Sequence, residues 1–265
     1  MSPQRLGQHF LTDSGWQQRI LRALRLAQDQ TWLEIGAGHG EMTRELARKV
    51  RRVAAIELDA PLVAALRRLA QELPALEVFP GDVMAADLRA MAGAGGFRVY
   101  GNLPYYITSP ILHRLFEDAE VIESIHIVIQ LEVAARVAAR PGRREYGYLS
   151  VATQFYSAPE IVFKIPPGAF RPRPRVASAL VELRMAPAAE RRARLEITDG
   201  AGFLRFVQNC FAQKRKTLRN NLRAAGLAGY AEDALTRSGV RPGARAEELS
   251  LEEFAALFRA LGGKE

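Results

Sequence analysis

Cysteine is nearly absent: Cys210 is the only one in 265 residues, so no internal disulfide can form and a disulfide-stapled scaffold is excluded. Histidine is scarce as well. His9, His39, His113 and His126 lie far apart and without zinc spacing, so no metal site is expected. No apolar run reaches the 18 residues that a membrane span needs. The opening stretch MSPQRLGQHFLTDSGW lacks the apolar segment and small-residue cleavage site of a secretory leader. A soluble, cytoplasmic monomer is therefore expected, with no membrane and no metal among its partners. Lysine is also rare, five residues against 32 arginines, an imbalance that GC-rich coding or a hot habitat explains as well as guanidinium chemistry does.

The chain does have 48% hydrophobic residues in 29.3 kDa, enough for one large domain and a small one. Its net charge of +8 and pI near 10.0 favour polyanionic partners. Short apolar runs at 31–35, 52–58, 76–79, 97–102 and 124–130 read as strands, and amphipathic stretches near 41–50, 60–72, 109–117 and 131–139 as helices. This alternation implies an α/β fold on a mostly parallel sheet, with helices on both faces. Later strands are read at 160–165 and 178–185, and a helix capped by Thr12 or Asp13 before the first strand. After Met185 the chain turns polar and then helical, near 201–212, 215–226, 229–237 and 250–261. The division expected is 1–185 for the sheet domain, 186–200 for a linker and 201–265 for a small helical domain.

The run TWLEI passes directly into Gly36-Ala37-Gly38-His39-Gly40 and then a helix, so a ligand can approach bare backbone at a strand's end. A dinucleotide fingerprint would need glycine at position 41, where Glu41 would repel a pyrophosphate from the helix N-terminus. NAD and FAD are thereby disfavoured. Glu57 ends the second run, 21 residues after Gly36, where a carboxylate can accept ribose hydroxyls, and Asp82 follows the third run at the place of an adenine amine. Each acid alone is more often a cap. In series with Gly36 and Gly38 they point to S-adenosylmethionine, a nucleoside cofactor without phosphate.

Asn102-Leu103-Pro104-Tyr105 follows the fourth run. The lone pair of an adenine N6 is delocalised into its ring, and an Asn oxygen with a backbone carbonyl can accept both amino hydrogens and stabilise the charge that develops on attack. Tyr105 offers a face for a base that has left its stack. A turn with buried tyrosines is the alternative reading of the tetrapeptide alone.

In order along the chain stand GQHFL (7–11), EIGAGHGEMT (34–43), IELD (56–59), GDV (81–83), GNLPYYITSPIL (101–112), residues 128–151, PPGAFRPRPRVASALV (166–181) and FAQKRKTLRNNL (211–222). With these blocks the chain resembles the small-subunit ribosomal RNA adenine N6,N6-dimethyltransferase family across nearly its whole length. The resemblance implies a Rossmann-like S-adenosylmethionine-dependent methyltransferase sheet with a small C-terminal all-α domain. It also implies dimethylation of two adjacent adenosines in a hairpin near the 3′ end of small-subunit rRNA, on an immature small ribosomal subunit. It adds His9, Leu11, Leu58 and Val83 to Gly36, Glu57, Asp82 and Asn102 around the cofactor, and marks Phe170 as a second stacking face opposite Tyr105. Many relatives carry Asn where this chain has His9. Large-subunit rRNA methyltransferases of the Erm type share the core, and an rRNA-binding assembly factor with secondary activity is a further alternative.

Three basic segments suit RNA phosphates. Arg171, Arg173 and Arg175 alternate with prolines in a stiff, extended loop; Arg140, Arg143 and Arg144 flank a Pro-Gly turn read as a mobile clamp. Lys214, Arg215, Lys216 and Arg219 lie in a stretch from 205 to 223 that contains no Asp or Glu, which reads as a one-sided cationic face.

Overall fold

The computed structural model describes residues 9–93 and 95–262, so Gly7 and Gln8 of the GQHFL block lie outside the described residues. Contacts group the chain into two units, Met1–Ala134 with Glu160–Met185, and Ala135–Pro159 with Ala186–Glu265.

The apolar runs become strands and the amphipathic stretches helices, each buried on the face that its sequence period selects. In order these are β1 (Phe10–Leu11), α1 (Ser14–Leu24), β2 (Thr31–Ile35), α2 (Glu41–Ala47), β3 (Arg52–Glu57), α3 (Ala60–Ala70), β4 (Leu76–Pro80) and α4 (Leu88–Ala92). There follow β5 (Phe97–Asn102), α5 (Thr108–Glu117), β6 (Ile122–Gln130), α6 (Leu131–Val137), α7 (Tyr148–Tyr156), β7 (Ser157–Ile165), β8 (Phe170–Arg171) and β9 (Ser178–Met185). Asp13 caps α1, its Oδ1 accepting the Trp16 amide at 3.1 Å.

The main sheet has the order β4-β3-β2-β5-β6-β9-β7; its first five members are parallel and β9 is antiparallel to β6. Every residue of β2 is buried, as a central parallel strand covered on both faces requires. From β2 the chain builds β3 and β4 on one side and then crosses to β5 on the other. The carboxyl ends of β2 and β5 therefore frame the crevice in which sheets of this topology take ligands. A separate pairing of β1 with β8 sets Leu11 opposite Phe170. Two-residue strands have no sequence period and exist only through that distant partner.

The second unit adds α8 (Ala188–Leu195), α9 (Gly200–Cys210), α10 (Leu218–Ala224), α11 (Ala228–Arg237) and α12 (Leu251–Ala260). Phe203, Phe206, Leu222, Phe254 and Phe258 centre its core. Tyr146, Val151 and Phe155 share that core, which is why residues 135–159 group with the helical unit and the sequence boundary near 185 is only one of three crossings. The stretch expected as a linker contains α8, whose Ala, Glu and Arg residues are good helix formers and which buries Arg191 and Leu195. No helix of the described residues is long and apolar enough to cross a membrane.

Candidate active site

Gly36, Gly38 and Gly40 have φ of +69°, +59° and +86° at the turn from β2 into α2. A Cβ at position 38 would also stand 3.2 Å from the Phe10 ring, so the conformation favours glycine and the ring crowds any side chain there. Glu57, 3% exposed at the end of β3, braces this loop. Its Oε2 accepts the Gly38 amide at 2.9 Å, and Oε1 accepts the Leu58 and Asp59 amides at 2.9 and 3.0 Å. A carboxylate has about four acceptor sites, so one is left for a ligand hydroxyl and a second opens only if the Gly38 amide moves aside.

Around Gly36 the strand ends enclose adjoining cavities. One, of about 420 Å³, is lined by His9, Gly38, Glu57, Asn102, Leu103, Pro104 and Tyr105 besides Gly36. Its neighbour, of about 540 Å³, brings Leu58, Asp82, Val83 and Tyr106 to Gly36, Glu57 and Pro104. A third, toward α2, joins Leu11, Glu34, Glu41 and Tyr100 to Gly36, Gly38 and Asn102.

At the end of β5, Asn102 Nδ2 donates to the His9 carbonyl at 2.8 Å. A carbonyl can only accept, so this bond fixes which way the amide lies and leaves Oδ1 without a donor among the described residues. The Pro104 carbonyl is taken by the Ile107 amide and the Thr108 hydroxyl, each at 3.2 Å, while the Leu103 carbonyl, next to Asn102, accepts no hydrogen bond among the described residues. Tyr105 is held by a 2.7 Å hydrogen bond between its hydroxyl and Ser178 Oγ. Its ring centre lies 5.2 Å from that of His9, at 33°. Burial pushes the Tyr105 phenol above its ordinary pKa, so it remains neutral.

Glu34 lies in the TWLEI run that leads into this loop, and the sequence alone assigns it no role. It is 2% exposed, Oε2 has no hydrogen-bond partner among the described residues, and burial pushes its pKa up to about 8. Tyr100, opposite it in the β2–β5 register, has an equally unpartnered hydroxyl. With Glu41 on the same cavity, these atoms suit an incoming ammonium group. The signal available in the sequence was an acid inside a strand that is otherwise apolar.

A glycine cradle, a braced acid, a second acid, an oriented Asn and orphaned acceptors thus share one strand-end cleft. Residues 2–262 match the family model described as "Ribosomal RNA adenine dimethylase". The chain belongs to this family. The chain is 40% identical, over 97% of its length and 93% of the relative's, to the Ribosomal RNA small subunit methyltransferase A of Koribacter versatilis. The crystal structure of the 23S rRNA methyltransferase ErmE superposes with a TM-score of 0.72 at 31% identity, covering 96% of this chain and 99% of that one. A dimethyladenosine transferase from Plasmodium falciparum gives 0.79 at 21% identity, covering 96% and 98%, and supports the fold. The protein is an S-adenosylmethionine-dependent enzyme of the Rossmann-like kind.

For this family member the second stacking face needs correction. Phe170 is fully buried, paired with β1 and packed into the core with Leu11, Ile165 and Ala169, and it does not line the cavity of Tyr105. The aromatic ring beside Tyr105 is that of His9, whose Nδ1 bonds the Pro172 carbonyl at 2.7 Å.

Arg171, Arg173 and Arg175 are exposed, with Arg171 turned back onto the Gly168 and Phe170 carbonyls at 3.3 and 2.9 Å. In the second unit Arg140, Arg143 and Arg144 are exposed on a turn that is anchored rather than free-standing. Gly142 donates to the Glu247 carbonyl at 2.7 Å, Tyr146 to that of Leu249 at 2.8 Å, and Lys214 Nζ to that of Arg144 at 2.8 Å. The acid-free cationic face also needs correction. Glu232 of α11 pairs with Arg219 at 3.3 Å and Arg223 at 3.4 Å, and Glu247 stands 3.8 Å from Lys214. Acids absent from the local sequence are brought in by the fold, and Arg219 is not a free cation. Among the described residues no group of three His, Cys, Asp or Glu could hold a metal.

Proposed function

We propose that the protein transfers methyl groups from S-adenosylmethionine to N6 of two adjacent adenosines in a hairpin near the 3′ end of small-subunit rRNA, dimethylating each. The observation that carries this reading is the orientation of Asn102, whose anchored Nδ2 turns Oδ1 into an unclaimed acceptor at the end of β5. The cofactor, when bound, supplies a methyl group on an electrophilic sulfonium.

This chain's residues do the rest. Glu57 and Asp82 accept hydrogen bonds from the nucleoside, while Glu34 and Glu41 face the ammonium of the methionine end. Asn102 Oδ1 and the Leu103 carbonyl accept the two N6 hydrogens, which favours a pyramidal nitrogen and stabilises the positive charge that grows as N6 attacks. The base rests on Tyr105, and the proton released from N6 passes to water. Exposed Arg140, Arg143, Arg144, Arg171, Arg173, Arg175, Arg215 and Lys216, together with Lys214, meet phosphates, which position the RNA without reading its sequence. The protein works as a cytoplasmic monomer on the immature small subunit.

The 31% identity to ErmE supports a second reading, methylation of large-subunit rRNA. Labelled cofactor offered with undermethylated small subunits, and in parallel with isolated large-subunit rRNA, separates the two. Label confined to the small subunit is expected; label confined to the large-subunit rRNA selects the Erm-type reading.

A further inference from the structure

Two tyrosines follow Pro104, and they serve different cavities. Tyr105 lines the one that holds His9 and Asn102, whereas Tyr106 lines the neighbour that holds Asp82, and Pro104 borders both. Tyr105 is half-buried and tied to Ser178; Tyr106 is 64% exposed. Large exposed apolar residues are few among the described residues: Leu58, Tyr106, Val176 and Tyr230. Two of these four, Leu58 and Tyr106, border the same cavity, whose walls include Ile56, Val83, Ile107 and Ile111. Leu58 follows β3 and Tyr106 follows β5, strands on opposite sides of β2, so the two approach the cavity from different sides. An apolar slot with two carboxylates, Glu57 and Asp82, and two uncovered jaws fits a nucleoside, a flat heteroaromatic ring with an amino group on a sugar with hydroxyls.

We propose that Tyr106 is a cofactor-binding residue that closes over the adenosine portion of S-adenosylmethionine, leaving Tyr105 to the RNA base. The inference rests on the cofactor reading of the cleft. It divides the tandem tyrosines between the two ligands of the reaction, one on each side of Pro104. The exposure of Tyr106 is then the unfilled half of a binding surface, and burial of the ring accompanies entry of the purine.

Calorimetry without RNA tests this with two probes, S-adenosylhomocysteine and 5′-methylthioadenosine, the second of which lacks the amino-acid end. Tyr106→Ala should weaken both by about tenfold, because the ring covers the nucleoside they share, while Tyr106→Phe should stay within about twofold of wild type. An exposed side chain carries little of the fold, and melting temperatures of both variants close to wild type keep the comparison one of binding. Unchanged affinity of Tyr106→Ala for both probes overturns the proposal, whether or not its affinity for the rRNA hairpin falls; a fall there assigns the ring to RNA instead. Glu57→Ala, measured alongside, separates the two levels of inference. If it binds both probes like wild type, the cofactor reading of the cleft fails; if it is weakened while Tyr106→Ala is not, only the role of Tyr106 fails.

Discussion

Glu34 in the sheet unit and Asn221 in the helical unit are each 2% exposed, yet they are treated in opposite ways. Asn221 is satisfied: Nδ2 donates to the Cys210 and Gln213 carbonyls at 2.8 and 3.2 Å, and Oδ1 accepts the Gln213 amide at 3.2 Å. Glu34 keeps an oxygen with no partner among the described residues, next to the equally unpartnered hydroxyl of Tyr100. Leaving a buried polar group unsatisfied costs about 1–3 kcal/mol. The sheet unit bears that cost at Glu34 and Tyr100, on a cavity where a ligand can complete the set, and also at Thr43 and His126; the helical unit bears it at Arg219 Nε but not at Asn221. A polyanion needs only surface cations, which cost the fold little.

The largest effect that sharpens this contrast is expected at Asn102. Asn102→Ala should slow single-turnover methylation by about 10²-fold or more, since the missing acceptor acts as charge develops, while RNA affinity stays near wild type. A rate within a fewfold of wild type would remove Asn102 from the chemistry.

Glu34 gives the next effect, in stability. The carboxyl has a pKa of 4.5 when unburied and about 8 in the fold, so the fold is penalised progressively as pH rises through that interval. Glu34→Gln has no proton to lose. Without cofactor, its stability relative to wild type should increase from pH 4.5 to 8 by up to on the order of 5 kcal/mol, about 1.4 kcal/mol per pH unit, and then level off. A difference that does not vary with pH would mean that Glu34 is not a buried acid. Glu57→Ala follows, with a loss of about 1.5–3 kcal/mol in S-adenosylhomocysteine affinity by calorimetry and a lower melting temperature, because the loop brace goes together with the ligand's acceptor. Unaltered affinity in a folded variant would take Glu57 out of the site.

Much of the sheet unit was legible in the sequence because strand, turn and ligand-facing residue are neighbours along the chain there. Gly36, Glu57, Asp82 and Asn102 each end a strand or directly follow one, so a pattern of apolar runs locates them before any packing is known. What was not legible depends on distant partners. The orphaned state of Glu34 needs the β2–β5 register, and the burial of Phe170 needs β1 to pair with β8. The pairing of Arg219 with Glu232 needs α11 packed beside α10. Helix α7 escaped because Ser150, Val151, Ala152, Thr153 and Phe155 are all buried, which erases the amphipathic period.

The smallest effect expected belongs to the helical unit. Replacing Arg215 and Lys216 with glutamine should flatten the salt dependence of small-subunit binding by about 0.7–0.9 log units for each phosphate left without its cation. Arg219→Gln should flatten the slope by less, because that guanidinium shares Glu232 with Arg223 and is already partly compensated. Equal slopes for wild type and the double variant would place the RNA on the arginines at 140–144 and 171–175 instead.

The most direct test of the function is to map the methylated bases. Undermethylated small subunits are incubated with the enzyme and S-adenosylmethionine, and the rRNA is digested and sequenced by mass spectrometry. The expected result is two neighbouring N6,N6-dimethyladenosines in a hairpin near the 3′ end, formed by wild type and lost in parallel with turnover in Asn102→Ala. Methylation at another atom, at a single isolated adenosine, or only on large-subunit rRNA would contradict it.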